Sequence, residues 1–486
     1  MNAAVRIIDW PASEDDDLAL ALWDAYAIAA ATGGVPSAHF QCSGVEIDSR
    51  DVQPGDLFFA LKGEAMDGHR FLDAAFEKGA VAAVVDRPID RPHILVDDTT
   101  AALGALGAAA RRRSRARIVG VTGSVGKTGV KEAIFAALER SSRGGAHRSV
   151  KSYNNHVGVP LSLARMPARA RFGIFEMGMN HAGEIAALTV QVRPHVAVIT
   201  TIAPAHIEML GSEEAIADAK AEIFAGLRPG GTAVIPADSS HYPRLRAAAE
   251  AAGADVVAFG TAAHADVRLL DAVAAPHGGS LVTAEMGDRR VCYTVAAPGE
   301  HWIANSLAVM AAVRAVGGDL GAAGLALAEM EGLRGRGARL HVATSDGGQA
   351  LVIDESYNAN PASMRATLAS LGAVAAPRRI AVLGAMKELG KHGPAYHAAL
   401  IEPLLAAHVD HVVLVGDEMT ALADELGKAG GNALHNAPAF THCANAQAAR
   451  AALEAIGLKD GDAVLVKGSN SVGLGAVVAA LAGEQG

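Results

Sequence analysis

Residues 117–139 read RIVGVTGSVGKTGVKEAIFAALE. A β-rich run (RIVGV) leads into a glycine-rich turn (TGSVG), and Lys127 opens a segment of helical character. In this strand–loop–helix context, glycines let backbone N–H groups turn inward around phosphate oxygens, and the helix N-terminus adds the positive end of its dipole. Gly123, Ser124, Val125 and Gly126 would form the cradle for ATP. Lys127 would neutralise the β- and γ-phosphates, and Thr128 would offer its hydroxyl to Mg²⁺. The spacing departs from G-x-x-x-x-G-K-T, because Val121 stands where the first glycine is expected. A tight strand-to-helix turn with an incidental lysine is the alternative reading.

Working outward, further β-rich runs are separated by alanine-rich helical segments: FGIFEM, HVAVITTI, TAVIP, ALVIDE, RIAVLG, HVVLVG and AVLVKG. That alternation predicts parallel sheets of the α/β class, which bind ligands at the carboxyl ends of their strands. Residues 1–98 read as a small α/β module of their own, with a helix near 15–32 stopped by Gly33-Gly34. Between about 262 and 298 the alternation lapses into hairpins, DVRLLDAV and RRVCYTV, attached to the central sheet. GLRGRGARL at 332–340 reads as a linker. The expected division is therefore 1–98, 99–331 and 332–486.

The chain has 486 residues, 51% of them hydrophobic, and a formal net charge of -10. Sizeable cores follow, and the charge argues against a general nucleic-acid or membrane-surface binder. The one basic cluster, RRRSRAR at 111–117, reads as a solvated helix end. Cys42, Cys292 and Cys443 lack metal-ligand or redox spacing and are expected as reduced thiols in a cytoplasmic protein. No run approaches the roughly 18 uninterrupted apolar residues of a membrane span.

Polar residues gather just after several strands. Glu176 closes FGIFEM on the edge that carries the glycine turn, where a carboxylate suits Mg²⁺; helix capping is the alternative. His206 lies in the loop after HVAVITTI. Lys220 sits in a helix whose Ile216, Ala219 and Ile223 would bury its stem. Asn154 and Asn155 suit either ligand recognition or a turn. Asp354 ends another strand, followed by Tyr357, Asn358 and Asn360, and Pro361 begins a helix.

Together these motifs resemble the Mur ligases, the ATP-dependent amide-forming enzymes of peptidoglycan synthesis. TGSVGKT matches that family's T-G-x-x-G-K-T and accounts for the shifted glycine. SYNANP, the LGAMKELG segment, EMGMNHAGEI, NNHVGVPL and AKAEIF are most similar to the member that joins D-alanyl-D-alanine to UDP-N-acetylmuramoyl-tripeptide. The resemblance runs from about Gly44 to about Ala480. It implies an N-terminal UDP-binding module, a central P-loop ATPase-like domain and a C-terminal Rossmann-like domain; a monomer is expected only because nothing in the sequence requires a partner chain.

Placed residue by residue, the resemblance puts Ser49 and Arg50 on the UDP end of the substrate, Thr128 and Glu176 on a first Mg²⁺, and His206 on a second. Lys220 would be carbamylated, making it an anionic metal ligand. Lys127, Lys220 and His206 would form the catalytic set. Asn305 would read adenine, and Arg336 and Asp354 would lie on the phosphate and ribose side of ATP. Asn155, Tyr357, Asn358 and Asn360 would meet the substrates. Three positions depart from the pattern: Ala385 for an aspartate, Trp302 for an asparagine, and KGSNSVGLG for K-G-S-R-x-x-x-M-E. A sibling ligase, a folylpolyglutamate-type ligase and a non-catalytic nucleotide-binding regulator are the rival readings.

Overall fold

The computed structural model describes residues 21–63, 66–204, 207–275, 279–431 and 437–483. The chain divides into two compact units. One is built from the described residues up to Arg115 together with His156–Arg169; the other comprises Ala116–Asn155 and Ala170–Gly486. The first unit thus reaches beyond residue 98, and no unit boundary falls at 331.

The physical reason for the first difference is packing within the first unit. Helix Thr99–Arg113 lies against helix Gly158–Ala164. Trp23 Nε1 donates to the Ala164 carbonyl at 2.9 Å, and the Arg113 guanidinium lies 3.4 Å over the Trp23 ring. Arg165 pairs with Glu46. The basic cluster is solvated only in part: Arg112, Arg115 and Arg117 are exposed, whereas Arg111 is buried and Arg113 is half-buried as a cation on an aromatic face. The expected helix near 15–32 is Ala25–Thr32, because Trp23–Asp24 pairs as a strand with Gln41–Cys42 and Asp24 caps the helix. Gly33 closes it with a φ of 72°. The unit's main sheet runs in the order Val35–Pro36, His93–Leu95, Ala82–Val85, Asp56–Phe59, Gly44–Glu46, parallel except for the first pair.

The second unit holds two larger sheets. The nine-stranded one has a parallel portion ordered Asp255–Gly260, Thr232–Pro236, Val196–Ile199, Arg117–Thr122, Phe172–Glu176, Ala146–Arg148. Arg117–Thr122 is where the order turns back. Later strands go to its left, intervening ones to its right, and a crevice opens at its carboxyl end. The segment expected as hairpins adds three strands to the same sheet, Val267–Ala274, Ser280–Met286 and Arg289–Val295; Ser280–Met286 was not among the expected runs. Val119 and Val121 pack with Ile134 and Leu138 of the helix Lys127–Ser142, and Val309 and Val313 of the helix Glu300–Ala315 join them. Each such side chain contributes about 1.5–3 kcal/mol by leaving water, which fixes the helix that follows the glycine turn.

The six-stranded sheet is ordered Ala338–Ala343, Gln349–Glu355, Ala463–Lys467, Arg379–Gly384, His411–Val415, Ala439–Cys443, antiparallel only at its first pair. Part of the expected linker at 332–340 is thus strand. All three cysteines are free thiols. Among the described residues no helix is long and apolar enough to cross a membrane.

Candidate active site

The glycine turn is anchored on the neighbouring strand end. Thr200 Oγ1 donates to the Val125 carbonyl at 2.5 Å, and Ser124 Oγ donates to the Ala203 carbonyl at 2.9 Å. Gly123 has a φ of +145°, and a Cβ there would sit 2.0 Å from Thr200 Oγ1. At Gly126, with a φ of +87°, a Cβ would meet the Asn305 amide at 2.8 Å. Any side chain at these two positions would both strain the backbone and collide with a neighbour.

Lys127 folds back on this turn, its Nζ donating to the Gly123 carbonyl at 2.7 Å. Burial pulls its pKa below the ordinary lysine value; Glu176 opposes that shift and Arg336 adds to it. Thr128 Oγ1 donates to Glu176 Oε2 at 2.9 Å. Asn154 Nδ2 donates to Glu176 Oε1 at 2.8 Å, and the Glu176 N–H donates to Ser149 Oγ at 3.2 Å. Glu176 is 1% exposed, so both carboxylate oxygens are held away from bulk water by named donors.

Lys220 lies in the last turn of the helix Glu213–Ala221 and is 1% exposed. Burial first, and the Lys127 charge second, hold its pKa well below the usual lysine range. Lys220, Lys127, Glu176 and Asn305 line one cavity of about 270 Å³, together with Ser124, Val125 and Gly126.

The C-terminal sheet contributes the opposite wall. Arg336 Nη2 donates to Ser152 Oγ at 3.0 Å, and its guanidinium lies 4.3 Å from the Tyr357 ring centroid. Tyr357, Asn358, Asn360, Glu355 and Lys467 face the same cavity. Lys467 Nζ donates to the Asn358 carbonyl at 3.0 Å and lies 3.4 Å from Glu355 Oε2. Burial depresses the Lys467 pKa despite that carboxylate, and depresses His301 likewise. Asn360 also serves the fold. Its Oδ1 accepts from the Ser363 N–H at 2.9 Å, capping the helix Pro361–Gly372 in a capping box. A second cleft of about 470 Å³ lies alongside, lined by Asn305, His301, Phe259, Ile202 and Ala366.

Some expected residues do not join this cavity. Asp354 is buried and accepts from the Gly335 N–H at 2.7 Å and Ser356 Oγ at 2.6 Å; it faces a different cleft, beside Arg339 and Met330. Asn155 is exposed, and its neighbour Asn154 is the amide on Glu176. Ser49 and Arg50 belong to the first unit, where the exposed Arg50 side chain pairs with Asp48 at 2.6 Å. In the same unit Asp67 and Asp86 hold the buried His69 ring between them, at 2.6 and 3.0 Å. His206 lies outside the described residues.

Cavity groups that gain no role from the sequence include His301, Glu355 and Lys467, while Asn154 reads there only as ligand recognition or a turn. Glu355 and Lys467 stand at carboxyl ends of neighbouring parallel strands, paired in register; that position was the available signal. Trp302, one of the three departures, packs on the loop helix, where a Cβ on Gly129 would lie 2.8 Å from its ring.

The chain as a whole is similar to known proteins. Residues 121–313 match the family model "Mur ligase middle domain", 338–470 match "Mur ligase, glutamate ligase domain", and 41–140 match "Mur ligase family, catalytic domain". The UDP-N-acetylmuramoyl-tripeptide–D-alanyl-D-alanine ligase of Escherichia coli (strain K12) is 36% identical over 398 residues, 81% of this chain and 86% of that protein. A crystal structure of MurF from Acinetobacter baumannii superposes with a TM-score of 0.79 at 29% identity, covering 95% of this chain and 99% of that one. MurF ligase from Thermotoga maritima in complex with ADP gives 0.71 at 26%, covering 91% and 97%.

Proposed function

The chain belongs to the Mur ligase family of ATP-dependent ligases, and from that premise we propose that it joins the carboxyl end of UDP-N-acetylmuramoyl-tripeptide to the amine of D-alanyl-D-alanine. ATP is converted to ADP and phosphate in this cytoplasmic step of peptidoglycan synthesis, which serves cell shape and division. The observation that carries the reading is the convergence of the glycine turn, Glu176, Lys220 and the Tyr357–Asn360 loop on one cavity.

A carboxylate is a poor electrophile, so ATP must first convert it to an acyl phosphate. The γ-phosphate and the substrate carboxylate are both anions; at 4 Å two unit charges repel by about 4 kcal/mol at an effective dielectric near 20. Lys127 supplies positive charge at the glycine turn. Backbone N–H groups of Val125, Gly126 and Lys127 hold the phosphates, the Ser124 N–H being spent on the Thr201 carbonyl at 2.8 Å, and adenine takes the cleft beside Asn305 and Phe259. The free amine of the dipeptide attacks the acyl carbon, and phosphate leaves from the tetrahedral intermediate. Tyr357 and Asn358 orient the acceptor and exclude water from the acyl phosphate, and Arg336 stands on the phosphate side of ATP. Asp354 acts on the nucleotide side through the backbone of Gly335, next to Arg336. The first unit holds the UDP end, with Ser49 and Arg50 on the ligand.

The donor set fits Mg²⁺. Glu176 and Thr128 offer hard oxygens in a buried setting. Glu176 and Thr128 would hold one ion and His206 a second, with a carbamylated Lys220 as a further anionic ligand, and the ions when bound neutralise phosphate charge. Burial pulls the Lys220 pKa well below the ordinary lysine value, which favours the neutral amine, the form that adds CO₂.

The test is turnover of ATP by the full chain with both substrates. ADP and phosphate should appear in step with the new amide, and only when UDP-muramoyl tripeptide and D-alanyl-D-alanine are both present. Release of AMP and pyrophosphate, or turnover indifferent to the dipeptide, would overturn the assignment.

A further inference from the structure

Lys131 lies one helical turn beyond Lys127, on the inward side of the loop helix, and is wholly buried. A lysine is rarely buried unless its ammonium is paired. Lys131 Nζ donates to the carbonyls of Ser149 at 2.9 Å and Lys151 at 2.8 Å, and pairs with Glu132 at 3.0 Å. All three of its donors are thereby used. Its charge also stands 3.9 Å from Glu176 Oε2.

The segment it grips, 149–154, reaches the site three times. Ser149 Oγ accepts the Glu176 N–H, Ser152 Oγ accepts from Arg336, and Asn154 Nδ2 donates to Glu176. In the middle, Lys151 has a φ of 52°, a left-handed conformation that is costly for a non-glycine residue. The bond from Lys131 to the Lys151 carbonyl holds that conformation. A methionine would fill the same space and supply none of these bonds.

We propose that Lys131 is a positioning residue: its ammonium fixes the 149–154 segment so that Asn154 and Thr128 aim the Glu176 carboxylate at a nucleotide-bound divalent cation. The inference rests on the ligase reading for the site's purpose, but its test reads binding alone.

The test is calorimetric titration of ADP into the full chain, with and without MgCl₂, for wild type, Lys131→Met, Lys131→Arg and Asn154→Ala. Lys131→Met weakens ADP binding in MgCl₂ by about tenfold or more, the range seen when groups orienting a metal ligand are removed. Binding without Mg²⁺ stays within about twofold, and Lys131→Arg, which keeps the charge, recovers most of the loss. Asn154→Ala reproduces the Mg²⁺-specific loss without lowering Tm. Equal losses with and without Mg²⁺, or wild-type binding by Lys131→Met, overturn the proposal. If Lys131→Met does not fold, Asn154→Ala decides alone: no Mg²⁺-specific loss overturns it. Failure of wild-type ligation would sink the ligase reading and leave this binding comparison standing.

Discussion

Thr128 and Glu176, 48 residues apart in the chain, meet through a 2.9 Å hydrogen bond from hydroxyl to carboxylate. The parallel register makes the meeting possible. Glu176 lies opposite Val121, so both strands end together and the glycine turn carries Thr128 back over that edge. A hydroxyl and a carboxylate are thus fixed side by side before any ligand binds, which lowers the ordering cost when a cation and phosphates arrive.

Lys127 Nζ is tied to the fold through the Gly123 carbonyl, on the same turn. Lys127→Ala should therefore reduce ATP-driven ligation by at least about a hundredfold, as losing a preorganised charge partner does, while Tm moves by no more than a few degrees. Near-normal turnover would remove the phosphate-loop assignment.

Lys220 should betray itself through pH. Its pKa in the folded chain lies well below the ordinary 10.5 because burial disfavours the ammonium. Between the two values the unfolded chain binds a proton that the folded chain does not, so stability rises with pH across that window and levels off above it. Chemical denaturation in bicarbonate-free buffer should show wild type gaining on Lys220→Met as pH rises. A difference that stays flat would show an ammonium stable in the core. The same variant should be nearly inactive, and Lys220→Ala should recover part of its activity with a short-chain carboxylic acid.

Trp302 and Gly129 should be energetically coupled. Alanine in place of a helical glycine ordinarily stabilises by about 1 kcal/mol. Here the added methyl would press on the Trp302 ring at 2.8 Å, so Gly129→Ala should destabilise by about 1–3 kcal/mol. In a Trp302→Asn background, where the ring is gone, the sign should revert. Denaturation midpoints of the four proteins give the coupling, and additive effects would show that the two residues do not constrain each other.

The two asparagines of the Tyr357–Asn360 loop should separate. Asn360→Ala removes a helix cap and should cost about 1 kcal/mol of stability. Asn358→Ala, whose residue is exposed at the cavity, should leave stability within about 0.5 kcal/mol and raise the KM for the dipeptide. Equal KM effects with no loss of stability at Asn360 would make both of them ligand contacts.

Much of this protein was determined by its sequence, because the decisive signals are local. Strand–loop–helix order around Lys127, the β-rich runs and the helix begun by Pro361 all follow from patterns spanning fewer than about 25 residues. Such patterns survive whatever packs against them. Tertiary structure decided what depends on partners distant in the chain. Which of two adjacent amides meets Glu176, why Asp354 turns to Gly335 and Ser356, and why Arg113 lies on Trp23 could not be read locally. The buried lysines make the point most sharply. Lys131 and Lys467 look in sequence like any solvated lysine, and only the packing around them removes the water that would have made them so.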